Sequence, residues 1–133
     1  MTKSSIRLLP VGLVLLFVVC LSAGDRETKG KAWLASHTEA AAISVNGKWH
    51  AKEWGKIHLI QADGSRDVTG DGDGWDITGV VSSNQVFLLF SHHDKVNYSA
   101  HLTSQADGTL SGTYSRGFMG DKSKGKPILM TKD

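Results

Sequence analysis

Four aspartates fall within ten residues of one another: Asp67, Asp71, Asp73 and Asp76. Carboxylates so closely spaced are hard oxygen ligands of the kind calcium takes. A helix–loop–helix calcium site laid on this stretch would use Asp71, Asp73 and Gly74 as its third, fifth and sixth positions. That leaves Thr69 first and Val80 last, where the chemistry requires carboxylates. A tight hairpin built on Asp71-Gly72 and Asp73-Gly74 accounts for the same residues, so no calcium is expected.

Histidine is the next candidate. His92 and His93 are adjacent in a turn-like stretch, while His50, His58 and His101 fall in strand-like runs. Zinc needs three or four ligands that converge. No His-x-His pair occurs, and the only cysteine, Cys20, lies near the N-terminus. The expectation is therefore solvated histidines and no metal. Gly120-Asp121-Lys122-Ser123-Lys124-Gly125-Lys126 fills seven places of a phosphate-binding loop, but Pro127 stands where a magnesium-binding hydroxyl is needed. No Gly-x-Ser-x-Gly elbow is present. No catalytic residue is assigned, and no cofactor is implied.

The aromatic residues carry more. Trp49, Trp54, Trp75, Phe87 and Tyr98 lie in or beside apolar runs and are the candidate ligand-binding residues of a barrel interior. Phe90 and Tyr114 add to the supply of core rings, and Trp33 sits apart in a polar segment.

These side chains are positioned by short segments cut at near-regular intervals. The cuts are Ala62-Asp63-Gly64-Ser65, Asp71-Gly72-Asp73-Gly74, Ser82-Ser83-Asn84, His92-His93-Asp94-Lys95 and Ala106-Asp107-Gly108-Thr109. Each supplies residues that tolerate hairpin geometry. Strands are expected over 43–50, 54–61, 66–70, 75–81, 85–91, 96–104, 110–115 and 127–132. Val96, Tyr98, Ala100 and Leu102 alternate with polar residues, as a sheet with one buried face requires. Residues 86–90 are apolar on both faces. The predicted fold is all-β: an antiparallel up-and-down meander closed into a small barrel of about eight strands, with an open two-sheet sandwich as the alternative. The Gln-Ala-Asp-Gly turn recurs at 61–64 and 105–108, which reads as convergence on a good turn.

Gly47-Lys48-Trp49 on the first strand, the meander, and Asp107-Gly108-Thr109-Leu110-Ser111-Gly112-Thr113-Tyr114 resemble the style of the calycins, the barrel superfamily of lipocalins and avidins. The resemblance covers residues 47–115 and implies a barrel with a ligand cavity. In avidins the second segment follows the first strand directly, whereas here it comes late. No ligand-contacting residue is carried over, and biotin is not implied.

Residues 1–24 read as a secretory signal. Lys3 and Arg7 precede an apolar run over 8–21, and Ser22-Ala23-Gly24 offers the small residues of a cleavage site before Asp25. The run is shorter than the ~20 residues of a membrane span. Cys20 raises the alternative of a lipid-anchored envelope protein, against which stands bulky Val19 before it. Residues 25–42 are expected as a flexible arm and 43–133 as the barrel domain. Of 15 basic residues Lys3 and Arg7 belong to the signal, so the remainder balances its 13 acids. A neutral domain has no field to gather nucleic acid or an anionic membrane. Asn97-Tyr98-Ser99 is a glycosylation sequon, meaningful only in a eukaryotic secretory pathway. The composition points to a secreted or periplasmic, non-enzymatic binding protein. Its partner would be a small apolar molecule in the barrel or a protein surface held by loops. A small secreted metal-dependent enzyme is the competing reading.

Overall fold

The computed structural model describes residues 25–117 and 125–133. Among these residues one helix, α1 (Asp25–Ala35), precedes eight strands: β1 (Gly47–Ala51), β2 (Gly55–Ile60), β3 (Asp67–Gly72), β4 (Trp75–Ser82), β5 (Gln85–His92), β6 (Lys95–Ser104), β7 (Leu110–Arg116) and β8 (Lys126–Lys132). The strands pair antiparallel in chain order, and β8 closes on β1 through Trp49–Lys132, His50–Thr131 and Ala51–Met130. Closure pairs both strands that would be edges, which rules out the open sandwich.

Period-2 alternation sets the inside of the barrel. Ile57, Leu59, Ile77, Leu88, Phe90 and Leu102 point inward and are buried in one cluster with Met130 and Val68. Each such side chain contributes about 1.5–3 kcal/mol on burial. An eight-strand barrel is wide enough for side chains to fill it or for one small ligand, and in this one the inward side chains pack together as a single cluster. Gly70, Gly72, Gly79 and Gly112 take inward positions where neighbouring backbone leaves no room for a side chain. A Cβ on Gly112 would strike the His101 carbonyl oxygen, and one on Gly79 the Phe87 carbonyl oxygen.

The structure corrects the face assigned to Val96. Ser91 pairs with Val96 but Phe90 pairs with Tyr98, so Asn97 is an extra residue and β6 bulges there. The bulge turns Val96 outward while Tyr98 stays inward. Asn97 and Ser99, the ends of the sequon, flank this turn of the strand, and Ser99 is 0% exposed.

Residues 25–42 are likewise not a free arm. The helix α1 lies on the outer face of β4, β5 and β6. There Val80, Phe87, Leu89 and Val96 form a second buried cluster with Leu34, and Trp33 packs on it. An eleven-residue helix is marginal alone. It is held because β5 is apolar on both faces, and its outer face must be covered as well. Gly30 lets the helix sit close: a Cβ there would meet Leu89 Cδ1 at 2.8 Å. The Val96 N–H donates to Glu27 Oε1 at 3.1 Å.

The chain from Ala40 to Asn46 then crosses one end of the barrel. Ala41 bridges parallel to Ser83, and Val45 is fully buried. The first strand therefore opens at Gly47 (φ +137°), after the expected start at 43. Gln61 ties this crossing down. Its side chain accepts from Val45 N at 2.8 Å and donates to Ile43 O at 3.3 Å and Ser65 O at 2.9 Å. Among the described residues no helix is long and apolar enough to cross a membrane. The expected signal, with Cys20, and most of the Lys-rich segment lie outside the described residues.

Candidate functional site

Antiparallel order puts alternate turns at the same end of the barrel. Turns 52–54, 73–74 and 93–94 share one end, opposite the crossing at 40–46. The first of these is a three-residue turn. Trp54 N donates to Ala51 O at 3.1 Å, and Gly55 (φ +70°) closes the turn in the left-handed region that glycine tolerates.

This turn delivers Trp54 into the barrel mouth. Its indole stacks on Phe90 of β5, with centroids 4.3 Å apart and planes at 22°. Trp75 of β4, Tyr98 of β6 and Tyr114 of β7 meet it edge-on at 5.6, 5.2 and 5.4 Å. Offset stacks and edge-to-face contacts are the favourable geometries for rings. Trp54 is 7% exposed, while Trp75, Tyr98 and Tyr114 are only partly buried and form the rim. Arg116 lies over Tyr98, 5.9 Å from the ring centroid, and His92 meets Trp75 edge-on at 5.3 Å.

The Trp54 N–H is buried without a hydrogen-bond acceptor. The edge-on rings beside it are weak acceptors at best. A buried donor left without an oxygen partner costs about 1–3 kcal/mol. Trp54 thus fills an aromatic seat built by four other strands and satisfies it incompletely.

Of the five ligand-binding candidates, the structure gathers Trp54, Trp75 and Tyr98 in this seat. Trp49 points inward near the opposite end, where its Nε1 donates to Val45 O at 2.8 Å and Lys132 Nζ lies 5.7 Å from the ring. Phe87 does not face the interior. It stands on the outer face of β5, under Trp33. A run apolar on both faces gives no indication of which face is the barrel's. Phe90 and Tyr114 complete the seat and were singled out only as core rings. The alternation on β5 and β7 could have placed them.

The other candidates are dispersed. Asp67, Asp71, Asp73 and Asp76 are exposed, and Asp71 and Asp76 face each other across β3 and β4. His50 Nδ1 lies 2.6 Å from Asp133 Oδ1. His58 and His101 lie on β2 and β6, which are not neighbours. Among the described residues no three His, Cys, Asp or Glu side chains gather into a metal-holding group.

His37, which the spacing arguments passed over, stacks face to face on Phe87 at 3.5 Å. Burial lowers its pKa below the usual histidine value. His101 stacks on the same ring at 4.5 Å, and its Nε2 lies 2.7 Å from Gln85 Oε1. Its pKa is lowered as well, by burial first and then by the neighbouring His37.

Comparison with family models, curated proteins and solved structures finds no match to this chain.

Proposed function

We propose that this chain is an exported, non-enzymatic binding protein whose ligand seat is the aromatic mouth now held by Trp54. The ligand is a flat, apolar ring system without a buried N–H of its own. The observation that carries this is the Trp54 indole, boxed by Phe90, Trp75, Tyr98 and Tyr114 with its donor unpaired. Turning Trp54 outward would return that donor to water. A ring of similar area would recover the stacking and avoid the donor's penalty of about 1–3 kcal/mol. The rest of the interior is taken up by the protein's own side chains, which moves the seat from the barrel centre to its mouth.

This reading treats the barrel as calycin-like, residues 1–24 as a cleaved secretory signal, and the periplasm or cell exterior as the destination. A lipid anchor at Cys20 remains the alternative. Nucleic acid is not among its partners.

A second reading, recognition of a protein surface, is favoured by one feature. An open groove of about 760 Å³ runs over the outer face of β7, β8 and β1 beside Leu129, which is 53% exposed.

The test is ligand uptake. Trp54→Ala should open a dry aromatic cavity, and naphthalene should bind it and raise its Tm more than indole, whose N–H would again be left unpaired. Native mass spectrometry of the wild-type protein from its own host should show a bound aromatic mass. A folded Trp54→Ala protein that takes up neither probe would overturn the reading. So would a wild-type mass that carries no ligand and a surface lost to binding on Leu129→Asp.

A further inference from the structure

We propose that α1 is an acid-released cover: the imidazoles of His37 and His101, one on each face of Phe87, hold the helix on the barrel while neutral and let it go when protonated. Two rings that both stack within 4.5 Å of the same phenyl, at 7° and 14°, must lie on opposite faces. His101 belongs to β6 and is register-paired with Phe87. His37 belongs to the chain just after α1, its N–H bonded to Leu34 O at 3.2 Å. The sandwich therefore joins the helix to the barrel wall. Trp33 closes it edge-on, 5.4 Å from Phe87 and 5.8 Å from His37.

The surroundings oppose a second charge. His37 Nε2 is buried with no partner, so a proton placed there would have no acceptor. A phenyl face attracts one cation, but here two imidazoles flank it and would repel each other. Arg66 is already a neighbouring cation, its Nη1 donating to His37 O at 2.6 Å. Among the described side chains of the packed elements the other charged or titratable groups are Glu27, Lys29 and Lys31 on α1, Glu39 after it, and Asp76, His92, His93, Asp94 and Lys95 on the strands and the turn beneath. Among the described residues no carboxylate pairs with either imidazole.

The sign follows from linkage. Both folded-state values lie below the ordinary ~6.5. The undocked helix therefore binds more protons than the docked one. Docking is complete above about pH 6.5 and weakens as pH falls through the two lowered values. Each unit of lowering on one histidine makes about a tenfold change in the docking equilibrium. Release would bare the apolar outer patch of Val80, Phe87, Leu89 and Val96 while the closed barrel stays folded.

Amide hydrogen exchange on the whole mature chain tests this, with rates corrected for the intrinsic effect of pH. Between pH 7.5 and pH 5 the α1 amides should open at least about tenfold more, while β5 and β6 amides keep their protection. His37→Phe with His101→Phe keeps the stack without its titration, and its helix should stay docked at pH 5. If the double variant does not fold, the single His37→Phe protein should show a shallower transition. NMR titration of the wild-type histidines should place both below the ordinary value. Unchanged α1 protection in the wild type at pH 5 would overturn the proposal. An acid release that persists in the double variant and is removed by Glu27→Gln would also overturn it, because it would assign release to the Glu27–Val96 contact.

Discussion

Trp54 lies ring over ring on Phe90, 4.3 Å between centroids, although one sits in the first hairpin turn and the other near the end of β5. The contact joins opposite sides of the barrel mouth. It follows that Trp54→Ala should cost about 3–5 kcal/mol, the usual loss for a buried large aromatic. Denaturant unfolding measures it. Added indole should recover part of the loss, and a protein as stable as wild type would show that the ring is not seated.

Gly112 sets how closely β6 and β7 approach. A side chain there collides with backbone that cannot turn aside. Gly112→Val should lower stability by about 1–3 kcal/mol or more, as overpacking does, or prevent folding. Thr113→Ala, one residue along on the other face, should change it by less than about 0.5 kcal/mol. Equal effects at the two sites would mean that the close approach is not made.

Gln61 replaces backbone pairing at the barrel end that residues 40–46 cross. Gln61→Leu keeps the volume but strands the Val45 N–H and the Ile43 and Ser65 carbonyls. The expected loss is about 1–3 kcal/mol, with faster exchange of the Val45 amide. Gln105, its counterpart in the repeated turn, is exposed, and Gln105→Leu should leave stability near wild type.

Leu34 anchors α1 without touching the barrel interior. Leu34→Ala should release helix amides to exchange while the strands keep their protection. The loss in docking should be about 2 kcal/mol, at the low end for buried leucine. Simultaneous loss of strand protection would show that helix and barrel unfold as one unit.

Asp107 accepts from both the Thr109 N–H and hydroxyl, at 3.0 and 2.7 Å. These hydrogen bonds hold its carboxyl below the usual value. A depressed carboxylate stabilises the turn above its ordinary range, and that contribution fades as pH falls through the folded value. Carboxyl NMR titration should find Asp107 below the ~3.9 typical of aspartate, and Thr109→Val should move it back up.

The amino-acid sequence alone determined the strand count and the hairpin order, and favoured a closed meander over an open sandwich. Those features are local: turn chemistry at Asp63-Gly64 or Asp107-Gly108 and alternation along 57–60 and 98–102 are written residue by residue. Tertiary structure decided the rest, because it concerns which face meets what. Phe87 reads as interior until α1 covers it from outside, and Val96 changes face because one extra residue, Asn97, enters its strand. The aromatic seat unites rings from the first turn and four separate strands, which no spacing in the chain could specify. The His37–Phe87–His101 sandwich arises the same way: the order of the chain fixes which strands pair, and only packing fixes which side chains then share a space.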